Sequence, residues 1–175
     1  MTACASSSPR VADWPAFRAG DILAVLVSHG VDFVVVGGLA VVFHGSTRIT
    51  QDLDLCYSPE AANLEVLGRA LIELEAKLFG IDEDVPFTPD AKALGRTEML
   101  TLATKHGKLD LLRAPGGAPP YPKLRERAEL VQAGDFAIRV ASPEDLIAMK
   151  QSAGRAKDLA DIEELEAIVD VRGRS

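Results

Sequence analysis

The sequence predicts an α/β (α+β) fold, in which a small mixed β-sheet carries flanking helices and a further helical segment lies at the C-terminus. Two short strand patterns, DFVVVGG at 32–38 and DLDLCY at 52–57, are separated by helix-like segments. Two later stretches, 99–113 and 130–141, each have the pattern of a hairpin. The order α-β-α-β-α-β-β, followed by another hairpin and helices, is typical of a mixed sheet with helices packed on it.

Five helices are predicted, most of them from capping residues or apolar spacing, and the one at 39–45 because a strand cannot easily restart directly behind the glycine pair. Asp13 with Pro15 starts the first, which ends near Gly30, and Ser58 with Pro59 opens the third. The predicted ranges are about 13–30, 39–45, 58–78, 142–151 and 157–169. Residues 80–96, rich in Asp, Pro and Gly, indicate an irregular loop, and GGAPPYP at 116–122 interrupts regular structure.

The length of 175 residues is that of a single domain. We expect a disordered tail at 1–12 and one domain at 13–175, with a core at about 20–115 and the C-terminal hairpin and helices at about 120–170. No apolar run approaches the roughly 18 residues of a membrane span, so a cytoplasmic protein is expected.

The formal net charge of −7 argues against non-specific coating of nucleic acid. The charge is uneven along the chain. Residues 123–157 hold seven Lys or Arg against five Asp or Glu, a balance of +2, which leaves −9 for the rest. A confined basic surface in this region would suit a partner that carries phosphate.

Asp52 and Asp54 are the first candidates for chemistry. Residues two apart in a strand point to the same face, so the two carboxylates lie together while Leu53 and Leu55 face the core. Adjacent carboxylates repel unless a cation lies between them, and Mg²⁺ prefers oxygen ligands. The alternative is a solvent-facing strand that happens to carry two acids.

Two further features favour the metal interpretation. Gly37 and Gly38 end the preceding strand at the start of a helix, where backbone N–H groups can approach a phosphate, although a simple tight turn is equally consistent. Asp110, flanked by leucines in KLDLL, projects from a later strand away from the core. The order is therefore a glycine pair, an acid pair and a third acid on a later strand.

These residues carry a resemblance to a known family. GGLAVVFHGSTRITQDLDL at 37–55 resembles the nucleotidyltransferase superfamily that includes DNA polymerase beta, and Lys108-Leu109-Asp110 supplies the third acid. SPEDLIAMKQSAGRAKDLADI at 142–162 resembles the lysine and arginine–aspartate motifs of AbiEii-type nucleotidyltransferases, the toxin halves of some bacterial toxin–antitoxin pairs.

The resemblance implies a nucleotidyltransferase fold and a magnesium-dependent enzyme. Asp52, Asp54 and Asp110 would hold two Mg²⁺ ions, with Mn²⁺ as an alternative, and an NTP would be the substrate. Lys150 and Asp158 would join the three acids as catalytic residues. The nucleotide contacts implied are those of Gly37, Gly38, Arg48, Lys150 and Arg155. For Arg48 a surface ion pair, and for Lys150 a solvated helix charge, are the alternatives.

The same resemblance implies that a nucleoside monophosphate is moved to the 3′ end of a tRNA by a toxin with a cognate antitoxin partner. A protein hydroxyl and a small molecule such as an antibiotic are alternative acceptors. A different class of function is also open, namely a binding module or antitoxin-like partner that keeps the fold without turnover. Retention of all three acids favours the enzyme.

Overall fold

A computed structural model describes residues 15–81 and 87–174. The strands are β1 (Phe33–Val36), β2 (Asp52–Tyr57), β3 (Lys77–Leu78), β4 (Met99–Thr104), β5 (Gly107–Leu112), β6 (Glu129–Ala133) and β7 (Phe136–Val140). The α-helices are α1 (Ala19–Ser28), α2 (Gly37–Phe43), α3 (Ala61–Glu73), α4 (Ala91–Arg96), α5 (Tyr121–Arg127), α6 (Pro143–Ala153) and α7 (Leu159–Gly173). A short 3-10 helix, Ala156–Asp158, precedes α7.

All seven strands form one mixed sheet in the order β3-β4-β5-β2-β1-β7-β6. β2 pairs antiparallel with β1 and parallel with β5, while β1 pairs parallel with β7. The predicted mixed sheet with flanking helices and a C-terminal helical segment is confirmed. Because β7 lies beside β1, the C-terminal hairpin belongs to the same sheet as the N-terminal strands.

The alternation predicted for the central strands sets the two faces of the sheet. Leu53, Leu55, Leu109 and Leu111 are at most 1% exposed and join apolar residues of α1 and α3 in the core. The residues between them, including the three acids, point to the opposite face. Because the leucines of β2 and β5 are buried in the core, the acids of these strands lie together on the opposite face of the sheet.

The predicted helix at 58–78 is too long at both ends. α3 begins at Ala61, because the Ser58 hydroxyl accepts the Glu60 N–H and forms a local turn instead of capping the helix. It ends at Glu73, since Glu75 adopts a left-handed φ of 54°. Residues 77–78 form strand β3 at the edge of the sheet instead.

Two segments predicted to be irregular contain helices. Within 80–96, of which residues 82–86 lie outside the described residues, Asp90 caps α4 by accepting the Ala93 N–H at 2.7 Å. The proline-rich stretch at 116–122 ends in α5, in which Pro122 occupies the first turn, where its missing N–H costs no hydrogen bond.

The terminal elements also differ from their predicted bounds. α1 begins at Ala19, later than the start predicted at Asp13 and Pro15, and α7 continues to Gly173. The expected tail at 1–12 lies outside the described residues. Within residues 15–81 and 87–174, no helix has the length and apolarity needed to cross a membrane.

Candidate active site

The three predicted acids lie side by side on one face of the sheet. Asp54 is in register with Asp110 on the parallel neighbour β5, and Asp52 is in register with Lys108. In-register residues on adjacent strands point the same way, so β2 and β5 place three carboxylates next to one another. Asp110 is 4% exposed, whereas the Asp52 side chain is 39% exposed.

Gly37 is the glycine whose geometry the site requires. Its φ is 66°, and a Cβ atom there would lie 2.1 Å from Asp54 Oδ2. Any side chain would combine a disfavoured backbone conformation with a clash against the carboxylate. The backbone N–H of Gly38 donates a hydrogen bond to Asp54, so the glycine pair lets α2 begin directly against this acid.

Burial, and after it the neighbouring charges of Asp52 and Asp110, raise the pKa of Asp54 to about 6. The Lys108 ammonium and the Gly38 N–H act in the opposite direction. A carboxyl group in this setting carries its charge at a free-energy cost until a cation is nearby.

This raised pKa predicts a pH-dependent stability in metal-free protein. Asp54 contributes stability below its ordinary pKa of 3.8, and that contribution is lost as the pH rises through about 6. We therefore expect the stability of Asp54→Asn relative to the unsubstituted protein to increase between about pH 4 and 6 and then level off. Urea unfolding of both proteins in EDTA across this pH range measures the difference in their free energies of unfolding. A difference independent of pH contradicts the assignment.

Lys108 makes direct contact with two of the three acids. Its Nζ atom lies 2.8 Å from Asp110 Oδ2 and 3.4 Å from Asp52 Oδ2. Burial alone would lower the pKa of Lys108, but the hydrogen bonds and charges of these acids raise it. The Nζ atom also lies 5.4 Å from the centroid of the Phe79 ring, within cation–π range.

A second charged cluster faces the acids from the C-terminal helices. Lys150, only 6% exposed, donates to Asp158 Oδ1 at 3.2 Å and to Asp161 Oδ2 at 2.6 Å. Arg155 Nε donates to Asp158 Oδ2 at 2.6 Å, and Arg48 pairs with Asp161. Three cations and two buried acids therefore connect α6, α7 and the segment that precedes β2.

The ion pairs of this cluster shift the pKa values of Asp158 and Arg155. Partial desolvation would raise the pKa of Asp158, but hydrogen bonds from Arg155 and Lys150 outweigh it and lower that pKa. The hydrogen bond to Asp158 raises the pKa of Arg155, and the charges of Asp54 and Asp52 raise it further. The negative charges of Asp54 and Asp52 therefore act electrostatically on Arg155 from the other side of the site.

A cavity of about 510 Å³ separates the two clusters. Its walls come from the glycine pair, the sheet face with the three acids, α6 and the segment around Asp158. The lining residues are Val36, Gly37, Gly38, Arg48, Asp52, Asp54, Met99, Lys108, Asp110, Leu112, Pro115, Gly116, Leu146, Met149, Lys150, Ser152, Ala153, Arg155, Lys157 and Asp158. Every residue that the sequence singled out for the site lines this one cavity.

The donor set is of the kind that a hard divalent cation requires, because the three acids supply only oxygen atoms. Asp110 Oδ1 is buried and has no hydrogen-bond partner, so it is available to a cation. In the described part of the chain, no three Asp, Glu, His or Cys side chains are already grouped as metal ligands. One oxygen each of Asp52 and Asp110 instead contacts Lys108.

Two residues of the site were missed from the sequence. Lys108 lies two residues before Asp110 on the same strand, so strand alternation alone could have placed it on the same face. Asp161 lies three residues after Asp158, at helical spacing, but nothing in the sequence indicates that it meets Lys150 and Arg48. Arg48 makes the ion pair considered as its alternative role while still lining the cavity.

Comparison with known proteins identifies the family. Residues 21–172 match the family described as "Nucleotidyl transferase AbiEii toxin, Type IV TA system". This chain belongs to the AbiEii family. It is thus a nucleotidyltransferase, and the resemblance drawn from the glycine pair, the acids and the 142–162 motif is confirmed. A search of curated proteins found no match.

Solved structures of other nucleotidyltransferases share the fold of this AbiEii-family chain. The lincosamide antibiotic adenylyltransferase LnuA, bound to lincomycin, has a TM-score of 0.59 at 18% identity, and the match covers 88% of this chain and 99% of LnuA. ANT(2")-Ia in complex with adenylyl-2"-tobramycin has a TM-score of 0.52 at 18% identity, covering 87% and 91%. At this identity the likeness establishes the fold.

The basic surface expected on the AbiEii-family chain at 123–157 is largely neutralised. Five of its seven cationic side chains form ion pairs within the protein. Lys123 pairs with Glu126, Arg125 with Asp32, Arg127 with Asp145, Lys150 with Asp158 and Asp161, and Arg155 with Asp158. A polyanionic partner would therefore meet less free positive charge than the composition indicates.

Proposed function

We propose that this protein is a magnesium-dependent enzyme that transfers a nucleoside monophosphate from an NTP to an acceptor hydroxyl. The observation that carries the proposal is the alignment of Asp52, Asp54 and Asp110 on one wall of a cavity whose other wall holds Lys150 and Arg155. Carboxylates suit a phosphate-bridging cation, and ammonium and guanidinium groups suit the phosphates themselves.

In the proposed reaction, the acceptor oxygen forms a bond with the α-phosphorus of the NTP. The bond from that phosphorus to the bridging oxygen breaks, and pyrophosphate leaves with the electron pair. The proton of the acceptor hydroxyl passes to a carboxylate, for which we propose Asp110. Mg²⁺ held by Asp52, Asp54 and Asp110 would stabilise the charge on the attacking and leaving oxygens.

The second cluster has a separate role in the proposal. Lys150 and Arg155 line the cavity opposite the acids and would neutralise the triphosphate. Asp158 holds both cations through hydrogen bonds, so their orientation is fixed before a nucleotide arrives. Arg48 and the glycine pair, at the third side of the cavity, complete the proposed nucleotide contacts.

For the acceptor we propose the 3′ end of a tRNA, as suits a toxin of the family to which the chain belongs, with a cognate antitoxin as its protein partner. Recognition would be confined to the terminal nucleotides, because the surrounding cations are mostly paired. This pairing also supports a second candidate, a small hydroxylated acceptor. The two structural neighbours hold antibiotic compounds, lincomycin in LnuA and adenylyl-2"-tobramycin in ANT(2")-Ia.

The proposal is tested by incubating the purified protein with Mg²⁺ and each NTP, labelled in turn at the α-phosphate. Total tRNA, a protein extract and a panel of aminoglycosides and lincosamides serve as separate acceptors. Asp52→Ala is the control variant. Label transferred to tRNA by the unsubstituted protein and not by Asp52→Ala supports the proposal and identifies the base.

Other outcomes of this experiment test the acceptor, the role of the acids and the requirement for a divalent cation separately. Label on a small molecule or a protein would retain the chemistry and replace the acceptor. Equal transfer by Asp52→Ala would refute the role of the acids. Transfer that persists in EDTA would refute the requirement for a divalent cation.

A further inference from the structure

The three aligned acids are not free of cations in this structure, because Lys108 lies among them. Its ammonium is within 3.4 Å of Asp52 Oδ2 and within 2.8 Å of Asp110 Oδ2. Asp52 lies on β2 and Asp110 on β5, so the two contacts of Lys108 bridge these strands. Asp110 Oδ1 has no partner.

A divalent cation bound by the same acids would meet Lys108 directly. Two positive centres a few ångströms apart in a partly buried site repel each other. The ammonium and the metal ion also require the same oxygen atoms of Asp52 and Asp110. Both cannot keep their best contacts with these two acids at once.

Lys108 has an alternative position within reach. The Phe79 ring centroid is 5.4 Å from its Nζ atom, and the side chain is 28% exposed. An aromatic face stabilises an ammonium group modestly at an exposed site. Movement of the ammonium toward the ring would release Asp52 Oδ2 and Asp110 Oδ2.

From this geometry we propose that Lys108 is the internal counter-cation of the metal-free acids and is displaced when a divalent cation binds. This inference rests on the proposed function, since it requires that the acids bind metal. Lys108 holds Asp52 and Asp110 together before the metal arrives and weakens the affinity of the site for a free metal ion.

The test is a titration of Mn²⁺ without nucleotide, in which the free ion is measured by its paramagnetic resonance signal. We expect Lys108→Met to bind Mn²⁺ about tenfold more tightly than the unsubstituted protein, because the competing charge is gone. In EDTA its melting temperature should fall, and the rise on adding Mn²⁺ should be larger. Lys108→Arg, which keeps the charge, should stay close to the unsubstituted affinity.

Lys105→Met is the matched control, since Lys105 lies on the same hairpin but pairs with Glu75 outside the cavity. Unchanged or weaker Mn²⁺ binding by Lys108→Met would overturn the inference and leave the proposed function intact. A lower melting temperature with no tighter binding would show a structural role only, which also overturns it. Absence of Mn²⁺ binding in every variant, including the unsubstituted protein, would overturn the metal site of the proposed function as well.

Discussion

Substitution of both Asp52 and Asp54 by alanine is expected to abolish the Mg²⁺-dependent thermal stabilisation that an NTP gives the protein. The same variant should lose about three orders of magnitude in nucleotidyl transfer, since metal-assisted stabilisation supplies several kcal/mol at ~1.4 kcal/mol per factor of ten. The two acids occupy one face of β2, in register with Lys108 and Asp110. Melting curves with and without Mg²⁺ and NTP measure the first effect, and the labelled transfer assay measures the second.

The double variant should fold, because both side chains face the cavity and one of them carries a pKa raised by burial and like charge. Glu163→Ala with Glu164→Ala is the matched control, as it removes two exposed acids from α7 without touching the cavity. Stabilisation by Mg²⁺ and NTP that survives in the double variant would exclude these acids as metal ligands.

Lys150→Met is expected to reduce both stability and nucleotide binding. It leaves Asp158 and Asp161 buried without their shared ammonium, and removal of one partner of a buried ion pair costs about 3–5 kcal/mol. Arg155 and Arg48 still contact these acids, so we expect the lower end of that range. Urea unfolding measures the stability, and titration with a fluorescent NTP analogue measures the affinity.

Lys92→Met provides the comparison for this prediction. Lys92 is exposed on α4 and outside the cavity, so its loss should change the free energy of unfolding by less than about 0.5 kcal/mol. A Lys150→Met protein as stable as Lys92→Met would mean that the buried pairs contribute little. Normal NTP affinity in a folded Lys150→Met protein would remove Lys150 from the proposed nucleotide site.

The sequence allowed the central part of the fold to be predicted because each element there has a local signal. Apolar and acidic residues alternate along β2, and paired glycines end β1. The two-residue strand β3 is too short to show any period, and it forms only because β4 offers hydrogen-bonding partners. α5 begins inside a proline-rich segment whose composition alone predicts a break.

The candidate site could be predicted only in part, for a related reason. Alternation put Asp52, Asp54 and Asp110 on polar faces, but the parallel pairing of β2 with β5 is a property of the whole sheet. The position of Lys150 opposite these acids depends on how α6 packs, so only the family resemblance indicated it. Strand alternation could have placed Lys108 on the same face as Asp110, whereas the contacts of Asp161 depend on tertiary structure.

The parallel pairing of β1 with β7 has a consequence for incomplete chains. Val35 meets its partner only when Val140 has been synthesised, and the Ala141 N–H then donates to the Val35 carbonyl. Until then the apolar strand FVVV presents one row of unpaired N–H and C=O groups, which is a template for pairing with other chains. A product truncated before the C-terminal hairpin therefore exposes a self-associating edge, and its topology favours aggregation.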